Sequence, residues 1–286
     1  MKPHNFTFLA GLLHSGSGLS IVSENQYRLQ SGLAAIMRAA TVPSLDALAE
    51  RLQARPFDAL ATQVIEAMTI HETRFFRDES CFNHLSTHAL PRLMAARPQG
   101  TRLRLWSAAA SFGQEAYSLA MLLAGQSSRW RNRPVEIIGT ELARDAVARA
   151  QDGLYSNFEV QRGLPPALLR EHFAAAPQGW RISERLRAMV RFQVWNLLHD
   201  LSPLGQFDIV LCRNVLIYFD AATKSRVLDA LADCLLPDGI LYLGGAETVL
   251  GLTRKLVALP GSSVTFGRAD AQGGATAPAI ARGGAL

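Results

Sequence analysis

The sequence is poor in lysine, and it has no long hydrophobic run. Only Lys2, Lys224 and Lys255 are lysines, which leaves 26 arginines among the 29 basic residues. No apolar stretch approaches the roughly 20 residues that a membrane-spanning helix needs. The apolar stretch at 6–13 is followed by a polar Ser/Gly segment that lacks a small-x-small cleavage site. We therefore expect neither membrane insertion nor a secretory signal.

Cysteine is also scarce. Cys81, Cys212 and Cys234 are odd in number and do not have the spacing of metal ligands. This pattern argues against a disulfide framework and favours reduced thiols in a cytoplasmic protein. We expect no metal site.

The rest of the composition is that of a globular protein with a sizeable core. Of the 286 residues, 49% are hydrophobic and 19% are charged, which excludes a disordered, collagen-like or coiled-coil chain. The net charge of +5 is carried almost entirely by arginine. Arginine suits anionic partners such as carboxylates, phosphates or nucleic acid, although the same excess can reflect genomic base composition alone.

The first hundred residues predict a small helical bundle. Ser44 can cap a helix that carries leucines on one face, Pro56 can open another, and residues 24–40 form an earlier amphipathic segment. From Arg102 onward, strands and helices alternate. The predicted strands are 103–106, 135–138, 191–195, 207–211, 240–243 and 263–266. Such alternation predicts a mainly parallel sheet with its ligand site at the carboxyl ends of the strands.

Between Tyr155 and Arg191 the alternation lapses. Here residues 180–183 and 189–192 are expected to pair as a hairpin inserted into the α/β domain. The tail, residues 269–286, is rich in Ala and Gly without periodicity, and we expect it to be disordered.

Two strand ends carry the pattern of a nucleotide-type site. Residues 106–115 lead from a strand through small residues into a helix, whose free N–H groups can face a ligand; a tight turn with a Ser111–Gln114 capping box is the alternative. Glu141 ends the next strand and can accept both ribose hydroxyls, or merely cap the following helix. A Gly-x-Gly-x-x-Gly fingerprint and a Walker lysine are both lacking. Weak pyrophosphate recognition with good ribose recognition favours S-adenosylmethionine (AdoMet) over a dinucleotide.

Two further segments carry polar or aromatic side chains of possible function. Arg213 and Asn214 follow a buried strand and precede Tyr218, although ordinary hydrogen bonding at a strand end explains them as well. Residues 71–78 lie at the junction of the helical and α/β regions, where core packing and a solvated rim are the simpler explanation. The Asp/Asn-Pro-Pro-aromatic motif of many nucleic-acid amino-methyltransferases is absent, which weakens the case for an RNA or DNA substrate.

Taken in order, these segments resemble the CheR-type chemoreceptor glutamate methyltransferases over residues 5–268. The family's Asn-Glu-Thr-x-Phe-Phe-Arg motif is similar to residues 71–77, and its Trp-Ser-Ala-type motif to residues 106–115. Its Cys-Arg-Asn-Val-x-Ile-Tyr-Phe motif is intact at 212–219, and shorter elements match 153–155 and 196–198.

The resemblance implies a Rossmann-like AdoMet-dependent methyltransferase fold of the α/β class. An all-α domain would cover residues 1–80 and an AdoMet-binding domain 81–268, with an inserted β-subdomain at about 156–193. AdoMet would be the cofactor and S-adenosylhomocysteine (AdoHcy) the product. We expect Tyr218 to orient the substrate as a catalytic residue; a core aromatic with a satisfied hydroxyl is the alternative. The implied cofactor-binding residues are His71, Thr73, Arg77, Glu115, Glu141, Asn196, Leu197, Arg213 and Asn214.

The implied reaction is methyl transfer to glutamate side chains of methyl-accepting chemoreceptors, with the receptor's cytoplasmic helical region as partner. No nucleic-acid partner is expected, and the protein is expected to be a cytoplasmic monomer. Methylation of another substrate such as RNA, or AdoMet binding without catalysis, are the alternatives. Several departures from the family pattern bear on activity: His71 replaces Asn, Glu141 replaces Asp, Gln114 replaces Glu and Ala116 replaces Pro. Near the end, residues 244–247 keep only Gly244 and Glu247 of the family's Gly-His-Ser-Glu, with Gly245-Ala246 in place of His-Ser.

Overall fold

The computed structural model describes residues 1–55, 58–125 and 134–271. Pro56, the predicted start of a helix, and residues 272–286 of the predicted disordered tail lie outside these ranges. Within them, no helix is both long and apolar enough to cross a membrane. The three cysteines are buried and free, and burial raises the pKa of Cys81 to about 12.

Four helices form an N-terminal bundle with its own core: α1 (Pro3–Ser17), α2 (Gln26–Ala39), α3 (Leu45–Ala54) and α4 (Ala59–Ala67). Ser44 caps α3 as predicted, since its hydroxyl accepts a hydrogen bond from the N–H of Ala47. Asp58 caps α4 in the same way through Ala61. Leucines on the inward faces of these helices, such as Leu9, are fully buried in one cluster.

The remaining helices surround the sheets. They are α5 (Glu79–His84), α6 (Leu90–Ala96), α7 (Gln114–Gly125), α8 (Arg144–Asp152), α9 (Asn157–Gln161), α10 (Pro166–His172), α11 (Glu184–Arg187) and α12 (Ala221–Asp233). A π-helical turn, Leu85–Ala89, joins α5 to α6. Two large hydrophobic clusters pack against the main sheet.

Ten strands form two sheets within the described residues. They are β1 (Leu103–Ala108), β2 (Val135–Glu141), β3 (Leu154–Tyr155), β4 (Phe173–Ala176), β5 (Gly179–Ile182), β6 (Val190–Val194), β7 (Phe207–Cys212), β8 (Leu235–Leu243), β9 (Leu256–Ala258) and β10 (Thr265–Arg268). The seven-stranded sheet has the order β6-β2-β1-β7-β8-β10-β9, and its first five strands are parallel. The second sheet has the order β3-β5-β4.

The register of the parallel strands fixes where the functional residues lie. Ala108 at the end of β1 is level with Thr140 of β2 and Cys212 of β7. Glu141 and Arg213 are the next residues along their strands, so both emerge at one edge of the sheet. The polar residues that follow separate strands in the sequence are therefore neighbours in space.

The predicted pairing of residues 180–183 with 189–192 is wrong. Strand β5 pairs instead with β3 and β4, whereas β6 lies parallel to β2 at the edge of the main sheet. The ring of Phe192 in β6 packs over Gly139, where a Cβ atom would lie only 2.4 Å from it. The true partner of β5 contains Ala174–Ala176, and alanine gives little strand signal.

Candidate active site

A single cleft at the carboxyl edge of the parallel strands gathers most of the predicted site residues. Its volume is about 1000 Å³, including the space at its mouth. Nine of the ten predicted residues line it: Thr73, Arg77, Glu115, Glu141, Asn196, Leu197, Arg213, Asn214 and Tyr218. We refer to this space as the central cleft.

The loop between β1 and α7 forms one wall of the central cleft. Ala109 and Ser111 adopt left-handed backbone conformations, with φ of 56° and 52°. The predicted capping box does not form, because the hydroxyl of Ser111 is buried without a partner among the described residues. Small side chains here leave backbone N–H groups close to the cleft, as a ligand-binding turn requires.

Glu141 lies beside this loop and is only 6% exposed. Its carboxylate accepts a hydrogen bond from the Ser111 N–H at 3.0 Å, and others from the N–H groups of Leu142 at 2.7 Å and Ala143 at 3.3 Å. These contacts tie the end of β2 to the loop that follows β1. They also hold the carboxylate in one orientation on the cleft wall.

A network of ion pairs around the buried side chain of Arg213 forms the floor of the central cleft. The side chain of Arg213 is 1% exposed and contacts both Glu115, at 2.9 Å, and Asp78. Its guanidinium also donates to the carbonyl of Arg77 at 2.7 Å, and Glu115 accepts a second bond from Ser107. Burial lowers the pKa of Arg213, but its acidic neighbours, Glu115 above all, together raise it by more, so the net pKa lies above its ordinary value.

The helical domain completes the cleft from the opposite side. The Asn196 amide donates to the carbonyl of Gly16 at 2.7 Å. The N–H of Ser20 donates to the carbonyl of Tyr218 at 3.0 Å. The two bonds join the last turn of α1 and the residues just after it to the α/β domain, so that Ser17 reaches the cleft.

Several lining residues were not predicted from the sequence: Ser17, Leu19, Met68, Ile70, Leu142, Trp195, Val215 and Phe219. Trp195 directly follows β6 and precedes Asn196, so its position at a strand end was a usable signal. Ser17 and Leu19 gave no such signal, because a contact across nearly two hundred residues depends on how the two domains dock.

His71 is the predicted residue that does not line the central cleft. It lies behind the wall, where its ring packs 5.0 Å from that of Phe112. Its Nε2 lies 2.8 Å from the hydroxyl of Thr69. Burial lowers the pKa of His71, an effect that Arg149 reinforces and Glu141 opposes. The imidazole is therefore neutral in the folded protein at neutral pH.

This lowered pKa predicts a pH-dependent stability. Below about pH 6.5 the unfolded chain binds a proton at this histidine that the folded chain still excludes. The contribution of His71 to stability is therefore present above that pH and is lost as the pH falls. His71→Asn should lose less free energy of unfolding than the parent between about pH 7 and about pH 5, as measured by denaturant titration. Equal losses would contradict the lowered pKa.

The departure at Gly245-Ala246 lies away from the cleft wall. Both residues are exposed, and a Cβ atom at Gly245 would meet nothing within 4 Å. Their neighbours Gly244 and Glu247 are buried. Gly245 and Ala246 therefore lie on the exposed side of the turn, whereas Gly244 and Glu247 lie on its buried side.

The polarity of the cleft fits AdoMet, a ligand with hydroxyl, amino and carboxylate groups. Four lining residues hold buried polar atoms without a partner in the described part of the chain: Ser111 Oγ, Trp195 Nε1, Arg213 Nε and Asn214 Oδ1. Buried polar groups are normally satisfied, so this cluster indicates a polar ligand. Among the described residues, no three His, Cys, Asp or Glu side chains are arranged to hold a metal ion.

Comparison with known proteins identifies the family. The family model described as "CheR methyltransferase, SAM binding domain" matches residues 71–264, more than half of the chain. The chain belongs to the CheR methyltransferase family. The predicted α/β class and the predicted cofactor are thereby confirmed, and the protein is an AdoMet-dependent methyltransferase.

Curated CheR relatives match over most of their length. Chemotaxis protein methyltransferase Cher2 of Pseudomonas putida is 36% identical over 244 residues, which are 84% of this chain and 88% of that protein. Chemotaxis protein methyltransferase 1 of Pseudomonas aeruginosa is 37% identical over 256 residues, covering 87% and 91%. The protein of the same name in Vibrio cholerae is 38% identical over 248 residues, covering 85% and 88%.

Proposed function

We propose that this CheR family member methylates glutamate side chains of chemoreceptors, as a cytoplasmic monomer. AdoMet supplies an electrophilic methyl group on its sulfonium, and transfer to a γ-carboxylate forms a C–O bond as the S–C bond breaks. The acceptor is already an anion at neutral pH, because glutamate has an ordinary pKa of about 4.3. No proton has to move, and the products are a methyl ester and AdoHcy.

The observation that carries this proposal is the hydrogen bonding of the two carboxylates in the cleft, Glu141, which is buried, and Glu115, which is 14% exposed. Glu141 has three backbone N–H donors. Glu115 is held by Ser107 and by the guanidinium of Arg213. Both carboxylates already accept hydrogen bonds from groups of the cleft wall. They are therefore poorly placed to remove a proton from an acceptor. An acceptor that reacts as an anion suits such a site better than an amine or a nucleobase.

The residues we propose to hold AdoMet are Thr73, Arg77, Glu115, Glu141, Asn196, Leu197, Arg213 and Asn214. Glu141 would accept the ribose hydroxyls, and His71 would support the wall from behind. Tyr218 lies between the two domains and packs against the cores of both. We assign to it the orientation of the acceptor. The protein would then promote the reaction by aligning the acceptor carboxylate with the methyl group and by excluding water from the cleft.

The relatives support a chemoreceptor as the acceptor, since the curated proteins that match over most of the chain are named chemotaxis protein methyltransferases. Charge supports it as well. The net charge of +5 favours association with a receptor helix that carries several glutamates.

Tritiated AdoMet distinguishes the possible acceptors. Incubation with membranes that carry chemoreceptors of the same organism should place label on the receptor, and mild base should release it as methanol. RNA tested in parallel should stay unlabelled. Base-stable label on RNA would overturn the proposal in favour of another substrate. AdoMet binding without labelling of any receptor would favour a non-catalytic role.

A further inference from the structure

Glu247 gathers four backbone N–H groups under the central cleft. It lies in the turn after β8 and is 8% exposed. Its Oε2 accepts hydrogen bonds from Gly244, at 2.6 Å, and from Asn214, at 2.9 Å. Its Oε1 accepts from Val215, at 3.0 Å, and from Leu216, at 2.7 Å. Each oxygen has two donors, and the carboxylate therefore binds three successive residues of the loop that follows β7 to the end of β8.

This loop carries a residue with a left-handed backbone conformation. Asn214 has a φ of 59°, a conformation that is uncommon for residues other than glycine but that asparagine adopts more readily than most. Its side chain lines the cleft, and its Oδ1 is buried without a partner among the described residues. The N–H that Asn214 donates to Glu247 lies at the point where the chain turns toward the cleft.

Gly244 makes this arrangement possible. A Cβ atom there would lie 2.8 Å from the Nδ2 of Asn214, 3.0 Å from its backbone nitrogen and 2.8 Å from Oε2 of Glu247. The three groups meet at one point, and a larger residue at 244 would separate them. Glycine is thus required for the close approach of the two loops.

We infer that Glu247 is a positioning residue for AdoMet: its carboxylate fixes the backbone of residues 214–216 and thereby directs the amide of Asn214 into the central cleft. Glu247 itself does not line the cleft, so its effect on the cofactor passes through Asn214. The inference rests on AdoMet as cofactor and not on the identity of the acceptor. It is therefore tested by AdoMet binding alone, whatever the result with receptors.

Glu247→Gln tests the inference. The amide keeps the shape but turns an NH₂ toward two backbone donors, so two of the four hydrogen bonds are lost. Calorimetry should show a Kd for AdoMet raised about 10-fold or more, the usual consequence of losing a well-placed polar contact. The measurement is made at a temperature where circular dichroism shows the variant fully folded.

A double variant separates positioning from simple destabilisation. Asn214→Gly removes the amide and accepts a left-handed backbone without strain. If Glu247 acts through Asn214, adding Glu247→Gln to this background should raise the Kd by less than about 3-fold further. An unchanged Kd in the single variant, or losses that multiply in the double variant, would overturn the inference.

Two control variants should leave AdoMet binding unchanged, and a third variant tests the contact between the two loops. Val249→Ala removes buried methyl groups two residues from Glu247 and should lower the melting temperature without changing the Kd. Gly245→Ala adds a methyl group in open space and should change neither. Gly244→Ala separates Asn214 from Glu247 while leaving both side chains intact, and it should raise the Kd as Glu247→Gln does. If Gly244→Ala binds AdoMet normally, the proposed role of the contact is wrong.

Discussion

Replacing Arg213 by methionine is expected to cost about 3–5 kcal/mol of unfolding free energy, as is usual when one partner of a largely buried ion pair is removed. Methionine fills similar space but leaves the Glu115 carboxylate, whose side chain is 14% exposed, without its cation; Asp78 is 42% exposed and can be solvated instead. AdoMet binding should fall at least about 100-fold, because the floor of the cleft and the wall at Glu115 both lose their anchor. Denaturant unfolding and calorimetry measure the two effects.

Arg181→Met is the matched control for this prediction. Arg181 pairs with Asp152 on the surface, where the two side chains are 40% and 49% exposed. Screening by solvent limits such a pair to about 0–1 kcal/mol, and AdoMet affinity should not change. Similar small losses in both variants would show that the Arg213 network does not carry the stability assigned to it.

Glu141→Ala is expected to weaken AdoMet binding by about 10–100-fold, which corresponds to the loss of hydrogen bonds from a charged acceptor. Glu141→Asp should retain most of the affinity, since a carboxylate remains at the end of β2. Asp145→Ala removes an exposed acid four positions from Glu141 and changes the net charge by the same amount as Glu141→Ala. It should leave the affinity for AdoMet unchanged. Calorimetry on the three variants gives the comparison.

A ligand analogue shows whether Glu141 acts on the ribose. In the parent protein, AdoHcy lacking its 2′-hydroxyl should bind more weakly than AdoHcy. In Glu141→Ala the two ligands should bind with the same affinity, because the partner of that hydroxyl is gone. If the analogue bound more weakly than AdoHcy to Glu141→Ala by the same factor as to the parent, the ribose would lie elsewhere in the cleft.

The position of the central cleft was predictable from the sequence because it depends on strand ends. Glu141 ends one buried strand and Arg213 directly follows another, and in a parallel sheet the residues at these strand ends meet at one edge. The alternation of strands and helices therefore predicts that Glu141 and Arg213 lie close together. The alternation did not show which groups these side chains would contact. Arg213 pairs with Asp78 and Glu115, two carboxylates that come from different parts of the chain.

The features that escaped prediction depend on tertiary contacts. Strand β4 is mostly alanine, and it becomes a strand because β5 pairs with it rather than through its own propensity. Ser17 reaches the cleft only because the helical domain docks through Asn196. In the sequence Glu247 is merely one retained residue of a motif; its four donors come from two loops that meet only in the fold.

The most direct test of the account is the mass of a receptor fragment after incubation with this protein and AdoMet. A cytoplasmic receptor fragment should gain the mass of one methylene group per acceptor glutamate, with one AdoHcy formed per ester, and mild base should reverse the gain. The same fragment with its acceptor glutamates replaced by glutamine should gain nothing. A gain on the glutamine fragment, a gain that resists base, or no gain while AdoMet binds normally would contradict the proposed glutamate methylation.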